Sequence, residues 1–460
     1  MKVMKFGGSS VKNADKIRNV ASIIKAEAET TSVAVVLSAM KGITDSLISC
    51  AKAAENGDLS YKETLKGISA REKSTFIELI GEDKEKKAFD KLSLMLTELQ
   101  EILLGVQMVK ECSDRSLDLI VSFGERMNNT VAAAYLRSTG FDAEFVDTRS
   151  LILTDSSYGA AKVDYKESYR RLRDKLAEIK GIPVITGFIG ANEQGVTTTL
   201  GRNGSDFTAS IIAGATESEV VEIWTDVDGV LSADPRSVEK AFVIPEVSYQ
   251  EAMELSYFGA EVIHPYTMIP AVEKNIPILI KNTLNPSAPG TVISKDIAPH
   301  NRPVTGIASI KDIALINVEG SGMIGTPGIA SRVFGALAEA GINVIMISQA
   351  SSEHSICLVF RELQAENALD SLNRELSEQV KTKRIENFVI RRGLEIISVI
   401  GENMIGTPGI AGKIFSALGE SGISIQAIAQ GSSERNISFV VSKEESDKAL
   451  NTVHDAFLTL

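Results

Sequence analysis

Apolar positions fall into one rhythm up to about residue 294 and a different one beyond it. In the first part, short and nearly continuous apolar runs alternate with helically spaced stretches. Residues 33–37 (VAVVL), 119–122, 182–186 (IPVIT), 220–224 (VVEIW) and 277–280 predict buried strands. Continuous apolarity, rather than alternation, suits a parallel sheet covered on both faces. Between them, residues 14–29, 127–139 and 165–179 carry helical spacing. Residues 60–112 are long, helical and charge-dense; the run at 82–87 (EDKEKK) reads as a solvated face of a helical insertion or lid beside the sheet. The fold class predicted is α/β, a three-layer sandwich around a mostly parallel sheet.

Residues 294–305 carry two prolines among polar residues and read as a linker. Beyond them the chain repeats itself. MIGTPGIA occurs at 323–330 and again at 404–411, 81 positions on. The match runs without gaps through Val333-Phe334 against Ile414-Phe415 and Gln349 against Gln430. It ends at Ser351-Ser352-Glu353 against Ser432-Ser433-Glu434. Each copy predicts a strand (313–318; 394–400), a helix (from Gly328; from Gly409), a strand around 342–347 or 423–428, then a further strand and helix. Two copies of so long a unit indicate a duplicated regulatory module, since a solenoid needs at least three. The expected domains are 1–300, 301–384 and 385–460, with the last two free to interleave.

Composition narrows this picture. A chain of 460 residues holds two or three domains. Its net charge of −12 argues against a nucleic-acid or anionic-membrane partner, so any ATP site must gather local Lys, Arg, amide groups or Mg²⁺. Cys50, Cys112 and Cys357 lie far apart without CxxC spacing, which fits a reducing compartment and neither a disulfide framework nor a zinc site. No uninterrupted apolar run approaches 18 residues and no signal-peptide core precedes Gly7. The expectation is a cytosolic protein.

Two segments carry chemistry. Lys5-Phe6-Gly7-Gly8 places a cation before a glycine pair, and Gly201-Arg202-Asn203-Gly204-Ser205-Asp206 places an Arg and an Asp around another glycine turn. Phosphoryl transfer needs backbone that approaches phosphates closely and fixed positive charge where negative charge develops. GxxxxGK[ST], GxGxxG after a strand, and an HRD…DFG pair are all missing. Instead glycines 7, 8, 42, 124, 187, 201 and 204 are scattered over loops that can converge at the carboxyl ends of strands, although each alone is equally a tight turn. Thr225 and Asp226 follow the 220–224 run directly, Asp228-Gly229 reads as a turn, and Arg236 offers a guanidinium suited to phosphate. Gly124-Glu125-Arg126 follows the predicted strand at 119–122. Glu125 is thereby expected at a helix start, either to hold a substrate ammonium or to cap the helix. His264, His300, His354 and His454 lack metal-ligand spacing, so no metal site of protein side chains is expected and Mg²⁺ arrives with ATP.

At these residues the chain resembles the aspartate kinases of the amino acid kinase superfamily. The motifs KFGGSS (5–10), LSAMKGIT (37–44), SFGERM (122–127), TLGRNGSD (199–206), EIWTDVDGV (222–230), DPR (234–236) and FGAEVIHP (258–265) occur in the family's order. The C-terminal repeat is similar to that family's paired, ferredoxin-like α+β ACT domains. The resemblance implies transfer of phosphate from MgATP to L-aspartate, giving 4-phospho-L-aspartate and ADP. It implies that Lys5, Phe6, Gly7 and Gly8 form the phosphate loop, with Lys5 neutralising the transferring group. Ser38 and Thr44 meet substrate or phosphoryl oxygens, and Glu125 meets the substrate ammonium. Arg202 grips the α-carboxylate beside Asn203, Gly204 and Ser205, and Asp206 orients Lys5. Thr225, Asp226 and Arg236 serve the nucleotide, with Leu231 where many members have tyrosine. A carboxylate nucleophile is already ionised, so no histidine or cysteine base is required.

The sequence departs from the family in two places. Glu261 stands where many members have lysine, and the chain ends soon after the second repeat, so the homoserine dehydrogenase of bifunctional relatives is not expected. Two alternatives stay open: a superfamily kinase for another amino acid, acetylglutamate or uridylate, and a silent amino-acid sensor. In MIGTPGIA, Thr326 is expected as N-cap and Pro327 as the first helical residue, leaving amides that attract a carboxylate. Met323, Ile324, Thr326, Gly328 and Ile329, with Asn343, Val344 and Gln349 on the adjoining strand, are the candidate effector residues. The bland alternative is a plain helix cap. By resemblance the ACT units join across at least a homodimer. Ile345 stands where some lysine-sensitive relatives place an acid, which favours L-threonine over L-lysine as effector.

Overall fold

A strand of five apolar residues can be buried on both faces, and β2 (Val33–Leu37) shows it: Val33, Ala34, Val35, Val36 and Leu37 are all buried, while its neighbour β1 (Lys2–Phe6) buries Val3, Met4 and Phe6 and carries two lysines. The computed structural model describes residues 1–259, 264–297, 302–323, 327–349 and 354–458, which divide into two compact units. The first unit takes in residues 1–230, 245–249 and 262–297.

Its strands continue with β3 (Ala143–Val146), β4 (Ile182–Thr186), the hairpin β5 (Ile189–Ala191) and β6 (Thr197–Thr199), β7 (Val220–Thr225), β8 (Glu246–Ser248), β9 (Ile278–Asn282) and β10 (Thr291–Ser294). One eight-stranded sheet has the order β3-β4-β2-β1-β7-β9-β10-β8, in which only the β9–β10 pairing is antiparallel. The helices are α1 (Ala14–Ala28), α2 (Ile43–Glu55), α3 (Tyr61–Leu79), α4 (Lys86–Val109), α5 (Asp114–Ser138), α6 (Tyr165–Glu178) and α7 (Gly204–Thr216). After β8 come α8 (Tyr249–Tyr257), which belongs to the second unit from Gln250 onward, and α9 (Pro265–Glu273). Met4 and Phe6 pack into a core shared with α1, α2 and α5. Side chains alternate along a strand, so Lys5 between them points to the opposite face, which α7 covers.

The strand expected at 119–122 is instead the middle of α5. Every residue from Ile120 to Ala134 is buried, so this helix has no polar face and its apolar run mimics a buried strand. The helices expected over 60–112 are present as α3 and α4. By length and mean hydropathy α4 could cross a membrane, although no uninterrupted apolar run made it a candidate. Here it packs on α5, α2 and α3 with Leu92, Leu99 and Leu103 fully buried.

The second unit takes in residues 231–244, 250–261 and 298–460. Two 14-residue strands, β11 (Gly306–Glu319) and β14 (Asn387–Ile400), pair antiparallel along their whole length. β12 (Met346–Gln349) and β13 (Ser355–Arg361) extend the sheet beside residues 313–319 of β11. β15 (Ala427–Gln430) and β16 (Asn436–Ser442) extend it beside residues 394–400 of β14. Helices α10 (Ile329–Glu339), α11 (Ala365–Glu375) and α12 (Ser377–Lys381) accompany the first copy; α13 (Ile410–Glu420) and α14 (Lys443–Phe457) accompany the second. The first core gathers Val318, Val333 and Leu358 together with Ile385 and Phe388 from the start of β14. The second gathers Ile397, Ile414 and Phe439 with Val304 and Ile307 from the start of β11. Each copy thus completes its sheet with a strand half that precedes the other in sequence.

Candidate functional site

Four neighbouring parallel strands, β4, β2, β1 and β7, end side by side, and their following loops hydrogen-bond to one another's last residues. Ser38 N–H donates to Phe6 O at 3.2 Å, Gly187 N–H to Leu37 O at 3.2 Å and Gly7 N–H to Trp224 O at 3.4 Å. The scattered glycines do converge at the carboxyl ends of a sheet, where ligands bind in open α/β folds. Gly8 shows why one of them is glycine: a Cβ there would lie 2.9 Å from Ala39 O.

Lys5 and Asp206 meet at this edge. The Lys5 ammonium lies 2.5 Å from Asp206 Oδ1, with side-chain exposures of 12% and 7%. Asp206 stands in the first turn of α7, where a carboxylate is favoured by the helix dipole. Asn203 caps that helix in the left-handed region (φ 54°), and exposed Arg202 precedes it. Gly204 and Ser205 are buried; a Cβ on Gly187 would sit 2.5 Å from Ser205 Oγ, so the end of β4 and the start of α7 touch. Gly7 also lies beneath Lys5, whose Nζ would be 3.5 Å from a Cβ there. Glycine backbone next to a held cation fits the phosphates of a nucleotide.

Helix α5 closes the other side of the strand ends. Glu125 is mid-helix, not at a helix start, and is 3% exposed. Its Oε1 accepts from Ala39 N–H at 3.2 Å while Oε2 is buried without a hydrogen-bond partner. Burial pushes its carboxyl up to about 8, against the opposing pull of the Ala39 amide. Asn128 donates to Ser38 O at 2.6 Å, and Asn129 to Leu37 O at 3.0 Å and to Glu125 O at 2.8 Å. Ser38 and Thr44 flank this loop, half-buried, with Thr44 in the first turn of α2. Arg71 on α3 donates to Lys41 O at 2.9 Å and Lys12 O at 2.8 Å, clamping the loops after β2 and β1 together.

At the end of β7, Thr225 O accepts from Thr283 N–H and Oγ1, and exposed Asp226 accepts from Thr225 Oγ1 at 3.3 Å. Asp228, expected as turn chemistry, accepts from Asn282 Nδ2 at 2.8 Å. Leu231 and Arg236, expected at the nucleotide, belong to the second unit, where Arg236 is 85% exposed and forms a forked pair with Asp234. Glu261 lies outside the described residues. Among the described residues no three His, Cys, Asp or Glu side chains cluster as a metal site.

Sequence reasoning missed Asn128, Asn129, Arg71 and Asp118. Asp118 is a buried carboxylate that accepts from Gly159 N–H, Thr199 N–H and Thr199 Oγ1 and so anchors β6 to α5. The available signal for three of them was polar side chains, Asp118, Asn128 and Asn129 among them, recurring within the apolar stretch that forms α5.

In the repeat, helix α10 begins at Ile329 with Gly328 as N-cap (φ 92°), and α13 begins at Ile410 with Gly409 as N-cap (φ 89°). The expected Thr–Pro start is therefore shifted by two residues toward the C-terminus. Thr326 and Ile324 lie outside the described residues. Their counterpart Thr407 shows the alternative in the second copy: its hydroxyl donates backward to Asn403 O at 2.7 Å. Met323 and Ile329 are core residues, Asn343 and Val344 precede β12 rather than lying on it, and Gln349 ends β12 exposed.

Residues 1–282 match the amino acid kinase family, and residues 316–376 and 397–457 match an ACT domain. The chain is 34% identical over 460 residues to aspartokinase 1 of Arabidopsis thaliana, a chloroplastic protein, covering 99% of this chain and 80% of that one. The chain belongs to the aspartokinase branch of the amino acid kinase family. It is also 39% identical to the chloroplastic bifunctional aspartokinase/homoserine dehydrogenase 1 of Arabidopsis thaliana, across 99% of this chain and 51% of that one. It thus spans about half the length of the bifunctional aspartokinase relatives it matches. Among solved structures, E. coli aspartokinase III in complex with aspartate and ADP (R-state) is 28% identical with a TM-score of 0.82 over the whole of both chains. The same E. coli aspartokinase in complex with lysine and aspartate (T-state) gives 29% and 0.81.

Proposed function

We propose that this aspartokinase-family chain phosphorylates L-aspartate on its side-chain carboxylate, using MgATP, and is feedback-regulated through its ACT units. The observation that carries this reading is the Lys5–Asp206 ion pair held at the shared carboxyl ends of β1, β2 and β7, opposite the buried Glu125.

A side-chain carboxylate oxygen attacks the γ-phosphorus as the bond to the β-phosphate oxygen breaks, and ADP departs. The nucleophile starts ionised, so no proton need be removed. Lys5 stabilises charge on the transferring group, and Asp206 fixes the lysine in place. Phe6, Gly7 and Gly8 hold the phosphates through backbone, while Thr225, Asp226, Leu231 and Arg236 are assigned to the nucleotide. Arg202 takes the α-carboxylate, with Asn203, Gly204 and Ser205 shaping the turn around it; Ser38 and Thr44 meet the reacting oxygens and Glu125 the ammonium. Mg²⁺ supplies charge neutralisation on the phosphates and is held chiefly by their oxygens. A coupled ADP-release assay tests the reading. Turnover with L-aspartate, and none with N-acetylglutamate or UMP, is expected; silence with all three would overturn it.

The effector proposed is L-threonine, bound near Gln349 of β12 in the first ACT unit, whose cap residue Gly328 leaves the following amides available. Ile345, whose amide donates to Val359 O, offers no carboxylate to a lysine ammonium. ACT units of this kind join two copies of the chain, so a homodimer or larger homo-oligomer is proposed. Interleaved boundaries, with residues 304–310 completing the second unit and 385–391 the first, replace the linear ones as the domain proposal; the pairing of β11 with β14 supports it. Cytoplasmic residence is proposed on composition alone. Inhibition by L-threonine but not L-lysine in the same assay is the expected outcome.

A further inference from the structure

Glu125 and Asn128 grasp opposite ends of one peptide group. Ala39 N–H donates to Glu125 Oε1 at 3.2 Å, and Ser38 O, in the same peptide unit, accepts from Asn128 Nδ2 at 2.6 Å. The two residues stand three apart on α5, so they share a face of the helix. After these bonds each keeps one oxygen, Glu125 Oε2 and Asn128 Oδ1, buried and without a hydrogen-bond partner. The carboxamide cannot be turned over to hide its oxygen, because that would set oxygen against Ser38 O. Buried oxygens left without a partner in the protein are met by an ordered water, a proton or a ligand, and these two lie on one helix face beside the carboxyl ends of the strands, where ligands bind in open α/β folds.

We propose that Asn128 Oδ1 and Glu125 Oε2 together form the recognition pocket for the α-ammonium of the amino-acid substrate, with Asn128 a specificity-determining residue of the site. This rests on the aspartate kinase reading above and deepens it. An ammonium brings three N–H donors and one positive charge, matching one carboxylate oxygen and one neutral acceptor. The neutral partner matters: Asn128 fixes direction without adding a second charge, so an amine is bound where a divalent metal would lack ligands. Asn129 serves as the internal comparison. Its carboxamide also keeps Oδ1 unpartnered, yet its amide bonds Leu37 O and the Glu125 carbonyl, not the Ser38–Ala39 peptide.

Calorimetric binding of L-aspartate and of succinate, the same dicarboxylate without the amine, to the full chain in the presence of ADP separates recognition from support. Asn128→Ala is expected to weaken L-aspartate roughly tenfold while changing succinate less than about twofold, the loss of one charge-assisted hydrogen bond. Asn128→Leu, close to asparagine in volume, repeats the test should the alanine variant unfold. Asn129→Ala is expected to change both ligands alike. Equal weakening of L-aspartate and succinate in both Asn128 variants would reduce the residue to a support for the 38–39 loop and overturn the proposal. So would unchanged binding of both. Failure of the unaltered chain to turn over L-aspartate would overturn the functional reading as well, whereas turnover with an indifferent Asn128 would overturn the ammonium pocket alone.

Discussion

The carboxyl-end edge of the sheet and the helical insertion beside it each bury one glutamate whose carboxyl is pushed up to about 8, Glu125 in the first and Glu72 in the second. Their surroundings differ. Glu125 shares its helix with other buried polar side chains, accepts from a loop amide and stands beside a second open acceptor. Glu72 on α3 has neither oxygen hydrogen-bonded, and the residues about one turn either side of it on the same helix, Ile68 and Phe76, are buried in the apolar core. On the reading proposed above, the first environment is completed by a cationic ligand and the second only by a proton. The same burial would then mark a binding site in one place and a conditional structural group in the other.

Removing the cation of the site tests the first half of this contrast most severely. Lys5→Ala is expected to lower kcat about a hundredfold, on the order of 3 kcal/mol, with little change in thermal unfolding. Near-normal turnover would separate the Lys5–Asp206 pair from the chemistry. Glu125→Gln comes next, with a loss in kcat/KM for L-aspartate of roughly ten- to thirtyfold. The sign with pH follows from the raised carboxyl. Below about 8 the free protein holds Glu125 protonated, and ammonium binding must expel that proton. Hence log kcat/KM for L-aspartate should climb with pH toward about 8 and then level, and the Gln variant should flatten that rise. A profile identical in both proteins would break the assignment.

Arg71 limits how sharply the two regions can be separated. It sits next to Glu72 in sequence, yet its guanidinium holds the carbonyls of Lys12 and Lys41, which belong to the loops after β1 and β2. Arg71→Ala is expected to raise KM for ATP several-fold with a smaller change in kcat, because the loops lose a tether and keep their side chains. Arg71→Lys, with a single donor group in place of the fork, should recover only part of the loss. An unchanged KM for ATP would make the insertion a bystander.

Three of the strands that build the site, β2, β4 and β7, were legible in the sequence because they are nearly continuous apolar runs bounded by turns. Lys5, Asp206 and the glycine loops stood out in the two glycine-bearing segments at 5–8 and 201–206 and in the resemblance to the aspartate kinases. Helix α5 was not legible: a helix buried on every side has no period, and 119–122 read as a strand for that reason. Misplacing it put Glu125 at a helix start and hid Asn128, whose meaning depends on a peptide 90 positions away. The repeat was plain from its 81-residue offset, but the exchange of strand halves was not. β11 and β14 run through bends at Asp312 (φ 54°) and Gly393 (φ 64°), where local pattern suggests an end and long-range pairing supplies a continuation. The TPG cap misled for a local reason, since glycine in the left-handed region can start a helix without a side-chain cap.

The smallest effect on turnover, and the one that closes the comparison, is expected at Glu72. Its carboxyl titrates near 8 when folded and near the ordinary glutamate value of about 4.3 when unfolded. A raised folded value means the unfolded chain releases its proton first. The stabilising contribution is therefore whole below about pH 4 and drains away as pH rises toward 8. Glu72→Gln keeps the shape and the uncharged state of the protonated carboxyl. It should match the parent in unfolding at pH 4 and exceed it at pH 8 by on the order of a few kcal/mol, with kcat and KM unchanged. The measurement is denaturant unfolding of the ligand-free protein across that range. Should Glu72→Gln instead weaken ATP or L-aspartate binding, the glutamate of the insertion would belong with Glu125 as a site residue, and the distinction drawn between the two buried carboxyls would fail.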